Sequence, residues 1–440
     1  MILTIWHRWV SVPFARFIKK TNAGSKVLMA TTLLALILAN SPWQAAFDAF
    51  WNLKLSIAFG QWSLSKPLLL WVNDGLMSMF FFVVGLELKR EMLVGELRHP
   101  EQLRLPLLAG LGGMLAPALI YTAFNLNGTA EIQHGWGIPM ATDIAFSLGI
   151  LHFLGKRVPV ALKVFLVALA IIDDIGAVAV IAFFYTSEIS TLNLGIGLFF
   201  LTVMILANFA GVRNAMFYGI IGIGGLWLAF LLSGVHATIA AVLAAFTIPA
   251  NMPLSRDVYI YRTRALVRRF SKQSESNAPL VSEREEWLLN RIAKSSADTI
   301  PPLQRLEHGM QSLVSFLVIP VFALANAGVT FSAEMFSMFS QPVFLGIAGG
   351  LLLGKISGIL GALWLGEKSG FLTIQKPLTY PLIFGVGLLA AIGFTMSLFI
   401  TNLAFSTPEV IKQAKTAILF ASLLAGIGGY AFLNRFLPQT

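Results

Sequence analysis

The chain has 440 residues, 57% hydrophobic and only 12% charged, with no cysteine, a composition that excludes an ordinary soluble domain and any disulfide or thiol chemistry. Apolar runs of about 20 residues, the length that crosses a bilayer, recur along the chain and predict a polytopic all-α membrane protein. The net charge of +10 does not call for nucleic acid. With connecting segments assigned alternately to two sides, Lys54, Lys66, Lys412 and Lys415 fall on one side and Lys163 and Lys355 lie within spans. All other Lys and Arg residues fall on the opposite side, which the positive-inside pattern marks as cytoplasmic.

In chain order, residues 1–26 form a basic, aromatic lead-in (Trp6, Arg8, Trp9, Arg16, Lys19, Lys20, Lys26) expected to lie along the cytoplasmic membrane face. The first span, 27–39, is followed by Asn40-Ser41-Pro42-Trp43 and not by a small-residue cleavage site, so it reads as retained. Residues 53–65 alternate apolar and polar around Gly60, as a short external β-hairpin does, and its exposed edges suit pairing with a second copy in a homodimer. The second span starts at Pro67 and carries Asp74 and Glu87 ahead of Lys89, Arg90 and Glu91. The third, 106–124, has Gly110, Gly112 and Gly113, which permit close helix contact.

The fourth span, 136–153, contains Ala141-Thr142-Asp143, and the fifth, 159–185, carries Asp173 and Asp174 at its middle. Spans six to eight cover 193–210, 215–232 and 234–250, so that 27–250 holds eight spans and the hairpin. Residues 251–308 are too polar to span and read as a partly helical cytoplasmic loop. The region 309–440 holds four more spans, at 310–328, 342–365, 379–402 and 412–434. The total of twelve leaves both termini cytoplasmic. The fourth span runs inward and is interrupted at Thr142-Asp143; the eleventh runs outward and is interrupted at Gly393-Phe394-Thr395-Met396-Ser397. Interrupted helices in corresponding places but opposite sense point to an inverted-repeat transporter with its site where the breaks meet.

Each ionisable residue inside a bilayer costs roughly 2.5–3.5 kcal/mol on the insertion scale, so Asp173 and Asp174 require a partner. As helix neighbours they point about 100° apart, so one can line an aqueous path while the other meets a protein cation. The cation inside the later spans is Lys355. A carboxylate in a partly desolvated cavity holds a proton or a hard cation such as Na⁺, but not both well, and a broken helix adds backbone carbonyls as oxygen ligands. Asp143 and Lys355 are placed to offset the dipoles of the half-helix ends. Asp74 reads as a polar contact or a funnel residue, Glu87 as a charge pair at a helix end, His236 as a hydrogen-bonded packing residue, and Lys163 as snorkelling to the interface.

No metal-ligand spacing, Gly-rich phosphate loop or Ser/His/Asp arrangement stands out, and neither enzyme activity nor a cofactor is expected. An intramembrane aspartyl protease needs two carboxylates facing each other across helices, whereas these two diverge on one. A channel would betray itself by currents above carrier rates. An ion-coupled carrier of a small organic solute is the alternative in the same class, but the side chains near Asp143 and Gly393 are mostly small and apolar.

The segments Thr142-Asp143-Ile144-Ala145-Phe146, Ala170-Ile171-Ile172-Asp173-Asp174-Ile175-Gly176-Ala177, Ser233-Gly234-Val235-His236-Ala237-Thr238, Phe322-Ala323-Leu324-Ala325-Asn326-Ala327-Gly328-Val329 and Gly393-Phe394-Thr395-Met396-Ser397 resemble the NhaA-type sodium/proton antiporters. The similarity covers nearly the whole chain. It implies a twelve-helix, multi-pass protein of the bacterial inner membrane, homodimeric through the hairpin. It also implies electrogenic export of Na⁺ or Li⁺ for a larger number of H⁺, activated at alkaline pH. On the same resemblance Asp174 is the main ion and proton site and Asp173 its neighbour, paired with Lys355. Asp143 offsets helix-end charge beside Thr142, with Gly393 and Thr395 at the second break. Glu87, Arg90, Glu91, Glu307 and His308 match the pH-response cluster. Gln311 stands where the family often has a histidine, and the 251–306 loop is longer than usual for the family, two departures that bear on pH response and regulation.

Overall fold

The computed structural model describes residues 23–437 except 61, 96–97, 99, 187–188, 253–254, 274–279, 332–334 and 375–376. The lead-in read at 1–26 therefore lies, up to residue 22, outside the described residues. The chain is mostly helical. It begins with α1 (Ala23–Ala39) and α2 (Gln44–Asn52), which meet at 113°. Two antiparallel strands follow, β1 (Lys54–Phe59) and β2 (Trp62–Pro67), with Ser56 opposite Ser65 and their hydroxyls 2.7 Å apart. Gly60 takes φ of +59°, the left-handed conformation a tight hairpin turn demands and glycine adopts without a side-chain clash. Leu55 and Ile57 stay exposed on β1.

The helices then run α3 (Leu68–Val94), α4 (Pro100–Phe124), α5 (Ile144–Phe153), α6 (Val160–Phe184), α7 (Thr191–Phe209), α8 (Ala215–Ser233) and α9 (Ala237–Thr247). After the polar helices α10 (Arg256–Gln273) and α11 (Glu283–Thr299) come α12 (Pro302–Asn326), α13 (Pro342–Lys368), α14 (Tyr380–Ala390), α15 (Phe394–Ala404) and α16 (Pro408–Phe436). Among the described residues eight helices are long and apolar enough to cross a membrane, and up to ten if each of two bent pairs is one span. The regions read as the fourth and eighth spans are shorter helices: α5 is preceded by a 3₁₀ segment at His134–Met140, and α9 has only 11 residues.

Two boundaries differ from expectation for identifiable reasons. The polar 251–308 stretch gives way to helix at Pro302, eight residues before the expected start of the ninth span. Prolines at the first turn favour helix initiation, and the amphipathic turn that follows buries Leu303 and Glu307 while leaving Arg305 exposed. In the eleventh region α14 ends at Ala390 and α15 starts at Phe394 with a 47° bend, so the unwound residues are Ala391, Ile392 and Gly393, just ahead of Thr395.

The tightest helix contact joins α4 to α13. A Cβ on Gly112 would lie 2.1 Å from the Gly358 carbonyl oxygen, and a Cβ on Gly358 would lie 2.1 Å from that of Gly112, so only glycine fits at either place. A π-helical turn at Gly350–Gly354 immediately precedes Lys355, and such extra-residue turns re-aim the side chains that follow.

Candidate functional site: two facing helix breaks and a carboxylate pair

At the break before α5, Ala141 and Asp143 are extended, and the backbone N–H of Asp143 and the hydroxyl of Thr142 reach the neighbouring break. The Asp143 N–H donates to the Ile392 carbonyl at 2.7 Å and the Thr142 hydroxyl lies 2.8 Å from the Ala390 carbonyl. Ser147 donates to the Leu389 carbonyl at 2.7 Å, and in return Ser397 donates to the Ile138 carbonyl at 2.8 Å. The two breaks thus satisfy each other's orphan carbonyls, which a low-dielectric interior requires.

Asp143 serves two helix starts. Its Oδ1 accepts from the Phe146 N–H at 3.0 Å and caps α5, while its Oδ2 accepts from the Thr395 N–H at 3.0 Å and the Thr395 hydroxyl at 2.6 Å, in the first turn of α15. A negative charge at two positive helix ends is favourable on both. At the opposite polarity, the Lys355 ammonium donates to the Met140 carbonyl, the last residue of the 3₁₀ segment. The same ammonium is 2.7 Å from Asp173 Oδ2, and both side chains are fully buried. Thr142 Oγ1 lies 2.7 Å from that same oxygen.

What remains is two carboxylate oxygens with nothing to bind. Asp173 Oδ1 and Asp174 Oδ1 are buried and without a hydrogen-bond partner among the described residues. Asp174 is only 3% exposed, and its neighbours in charge include Asp173, Glu87 and Asp143, with Lys355 the cation acting against them. An excess of buried carboxylate over buried cation, with unpaired oxygens, is an arrangement that a proton or a hard cation completes. Among the described residues no three His, Cys, Asp or Glu side chains gather as a metal-holding group.

The structure therefore brings Thr142, Asp143, Asp173, Asp174, Lys355 and Thr395 together, with Gly393 ending the second break. Glu87, Arg90, Glu91 and Glu307 form a second group, between the C-terminal part of α3 and the start of α12, of which Glu87 is also within electrostatic reach of Asp174. Arg90 is 3.0 Å from Glu91 and 2.9 Å from Glu307, and Glu87 lies within electrostatic reach of Glu307 and Arg90. His308 sits beside them in sequence but is exposed. Asp74 pairs with Lys66 of β2 at 2.8 Å, and His236 meets the Tyr185 carbonyl at 2.6 Å, so its Nε2 carries the proton. Ser147 and Ser397 were not singled out by sequence reasoning. The available signal was a hydroxyl one helical turn after each break, spaced to reach across.

Apolar helices around a buried, incompletely paired carboxylate cluster define a polytopic membrane protein that holds charge in its interior, the property of ion carriers. The chain belongs to the Na⁺/H⁺ antiporter 1 family, whose model matches residues 15–433. It is 49% identical over 423 residues to the Na(+)/H(+) antiporter NhaA of Oleidesulfovibrio alaskensis, covering 96% of this chain and 93% of that protein. The NhaA 1 of Saccharophagus degradans is 45% identical over 97% of this chain and 92% of its own length. The NhaA of Christiangramia forsetii is 47% identical over 95% and 93% respectively.

Proposed function

We propose that this chain is a Na⁺/H⁺ antiporter of the bacterial inner membrane, moving Na⁺ or Li⁺ outward for a larger number of inward-moving H⁺. The observation that carries the reading is the buried, unpartnered Asp174 Oδ1 beside the ion pair of Asp173 with Lys355, at the place where two helix breaks face each other. The relatives, Na(+)/H(+) antiporters by name, agree with it.

In this reading Asp174, with Asp173, binds either cation or proton, and competition between them couples the two fluxes. Lys355 holds Asp173 and offsets the helix-end charge opposite Asp143. Unequal charge movement makes exchange electrogenic. The twelve-span count follows when α1, the 3₁₀ segment with α5, α9 and the α14 and α15 pair are each taken as one span beside the eight long helices. The fourth and eleventh spans are then the interrupted members of an inverted repeat, and both termini are cytoplasmic. The group Glu87, Arg90, Glu91 and Glu307, with His308 at its edge, serves as the alkaline pH response. The exposed Leu55 and Ile57 favour β1 and β2 as the pairing surface of a homodimer.

The test is proton movement in inverted vesicles with an acid interior, NaCl being added at pH 7 and pH 8.5. Sodium should collapse the gradient, more at pH 8.5, and Asp174→Asn should abolish the collapse while the protein still inserts. Exchange retained in Asp174→Asn would refute the site; no collapse in the unsubstituted chain would favour the organic-solute carrier.

A further inference from the structure

Outward of the breaks, where α15 meets α3 and α12, two layers of side chains cross the interface. The inner layer is aromatic: the rings of Phe81 and Phe322 lie 5.5 Å and 6.3 Å from the ring of Phe399, and all three are buried. The outer layer is a ladder of amides. Asn326 Nδ2 donates to Asn73 Oδ1 at 2.9 Å and to the Phe322 carbonyl at 3.0 Å, and Asn326 Oδ1 accepts from Asn402 Nδ2 at 2.7 Å. Asn326 is fully buried, and both its amide hydrogens and its oxygen are engaged, so its side chain has no alternative orientation.

The three amides come from different moving parts. Asn402 rides on α15, the arm beyond the second break, three residues past Phe399. Asn326 ends α12, one turn past Phe322. Asn73 lies in a π-helical turn of α3 at Val72–Leu76, next to the Asp74 that is tied to Lys66 of β2. The ladder therefore fastens the broken-helix arm to the helix that carries the hairpin. Two buried amides, Asn73 and Asn326, and a half-buried third, Asn402, are costly in apolar spans unless mutually satisfied, and apolar residues would pack there without that demand. What amides add is geometry: they close in one register and must part when α15 moves against α3 and α12.

We propose that Asn73, Asn326 and Asn402 are positioning residues that act as the outer latch of the carrier, holding Asp174 shut from the external side while the ladder is made. The inference rests on the antiport reading above. Opening to the outside parts Asn402 from Asn326 and Phe399 from Phe81 and Phe322; closing remakes both layers. Because the amides are neutral, the latch is insensitive to pH in itself, and ion or proton loading at Asp174 decides when it opens.

The chain has no cysteine, so Asn326→Cys with Asn402→Cys introduces the only two thiols. In vesicles holding the full chain, a short bifunctional maleimide that bridges the pair should cut Na⁺/H⁺ exchange at least tenfold below that of the same variant capped by a monofunctional maleimide. The bridged protein should keep its Na⁺-dependent rise in melting temperature, since the site stays loaded from the cytoplasmic side. Bridged protein exchanging at more than half the unbridged rate would overturn the latch. Absence of exchange in the unsubstituted chain would instead sink the antiport reading. A second measurement needs no exchange activity: Thr401→Cys, on buried Thr401 beside the ladder, is labelled from outside with a membrane-impermeant thiol reagent. Adding Asn402→Ala should speed labelling at least tenfold, and an unchanged rate overturns the proposal.

Discussion

The two breaks are unequal partners. The first contributes Thr142 and Asp143, whose side chains and backbone reach the second at Ile392, Ala390 and Thr395. The second consists of Ala391, Ile392 and Gly393, with no polar side chain of its own, and the helix after it returns the Ser397 contact to Ile138 and the Thr395 donors to Asp143. One break holds the charge, and the other is shaped by it. Damage to the first should therefore spread to both helix starts, and damage to the second should stay local.

The largest effect tests that directly. Asp143→Ala strips an acceptor from three donors, Phe146 N–H, Thr395 N–H and the Thr395 hydroxyl, at roughly 1–3 kcal/mol for each buried group left unsatisfied. Thermal unfolding in detergent should show a loss of about 3–5 kcal/mol, together with loss of exchange. Thr395→Ala removes one donor and leaves the Asp143 carboxylate its two backbone partners. The expected loss is about 1.5–3 kcal/mol, the worth of a hydrogen bond to a charged group. If Thr395→Ala proved as damaging as Asp143→Ala, the one-sided arrangement would be wrong.

The smallest effect comes from the same device at the surface. Glu131 accepts from the Thr407 N–H at 2.8 Å, the Ser406 N–H at 2.6 Å and the Thr407 hydroxyl at 2.8 Å, at the start of α16. Those bonds, the Thr407 backbone N–H foremost, hold its carboxyl below the usual carboxylate range. A carboxyl lowered by folding adds stability above its unfolded value of about 4, and that stability is lost as pH falls through the lower folded value. Glu131→Gln should thus lower the melting temperature at pH 7 by no more than about 2 °C, and the difference should vanish well below pH 4. A large effect at pH 7 would mean that exposure does not weaken the cap.

Hydropathy located the apolar helices because bilayer length is written into each run, and the hairpin was legible from alternation about Gly60. The first break was legible because an aspartate inside an apolar run is costly unless the backbone there needs its charge. The second was expected at Gly393 to Ser397, whereas the helix ends at Ala390 and resumes at Phe394. Ala391 and Ile392 carry no local signal, and α14 ends there because Thr142, Asp143 and Ser147 capture its last carbonyls from across the interface. Asn73 and Asn402 drew no attention in sequence, and Asn326 stood there only within a family-like segment, since each, taken singly, is an ordinary neutral residue. Only the fold assembles them. That Lys355 would meet one of the two aspartates was expected from charge, because no other cation lay well inside the later spans; that the partner would be Asp173 came from the family resemblance. The engagement of the Lys355 ammonium with the Met140 carbonyl needed the path of the backbone.

The reciprocal glycine contact between Gly112 and Gly358 has a mechanical consequence. With backbone against backbone there is no side chain to compress, and α4 and α13 behave as one strut. Lys355 leaves that strut one turn from Gly358, so its ammonium is delivered at a fixed depth and has little travel of its own. On the proposed antiport reading, in which the charge on Asp173 and Asp174 changes, the adjustment falls to α6 and the unwound residues: the lysine is the anvil, and the aspartate helix is the part that gives.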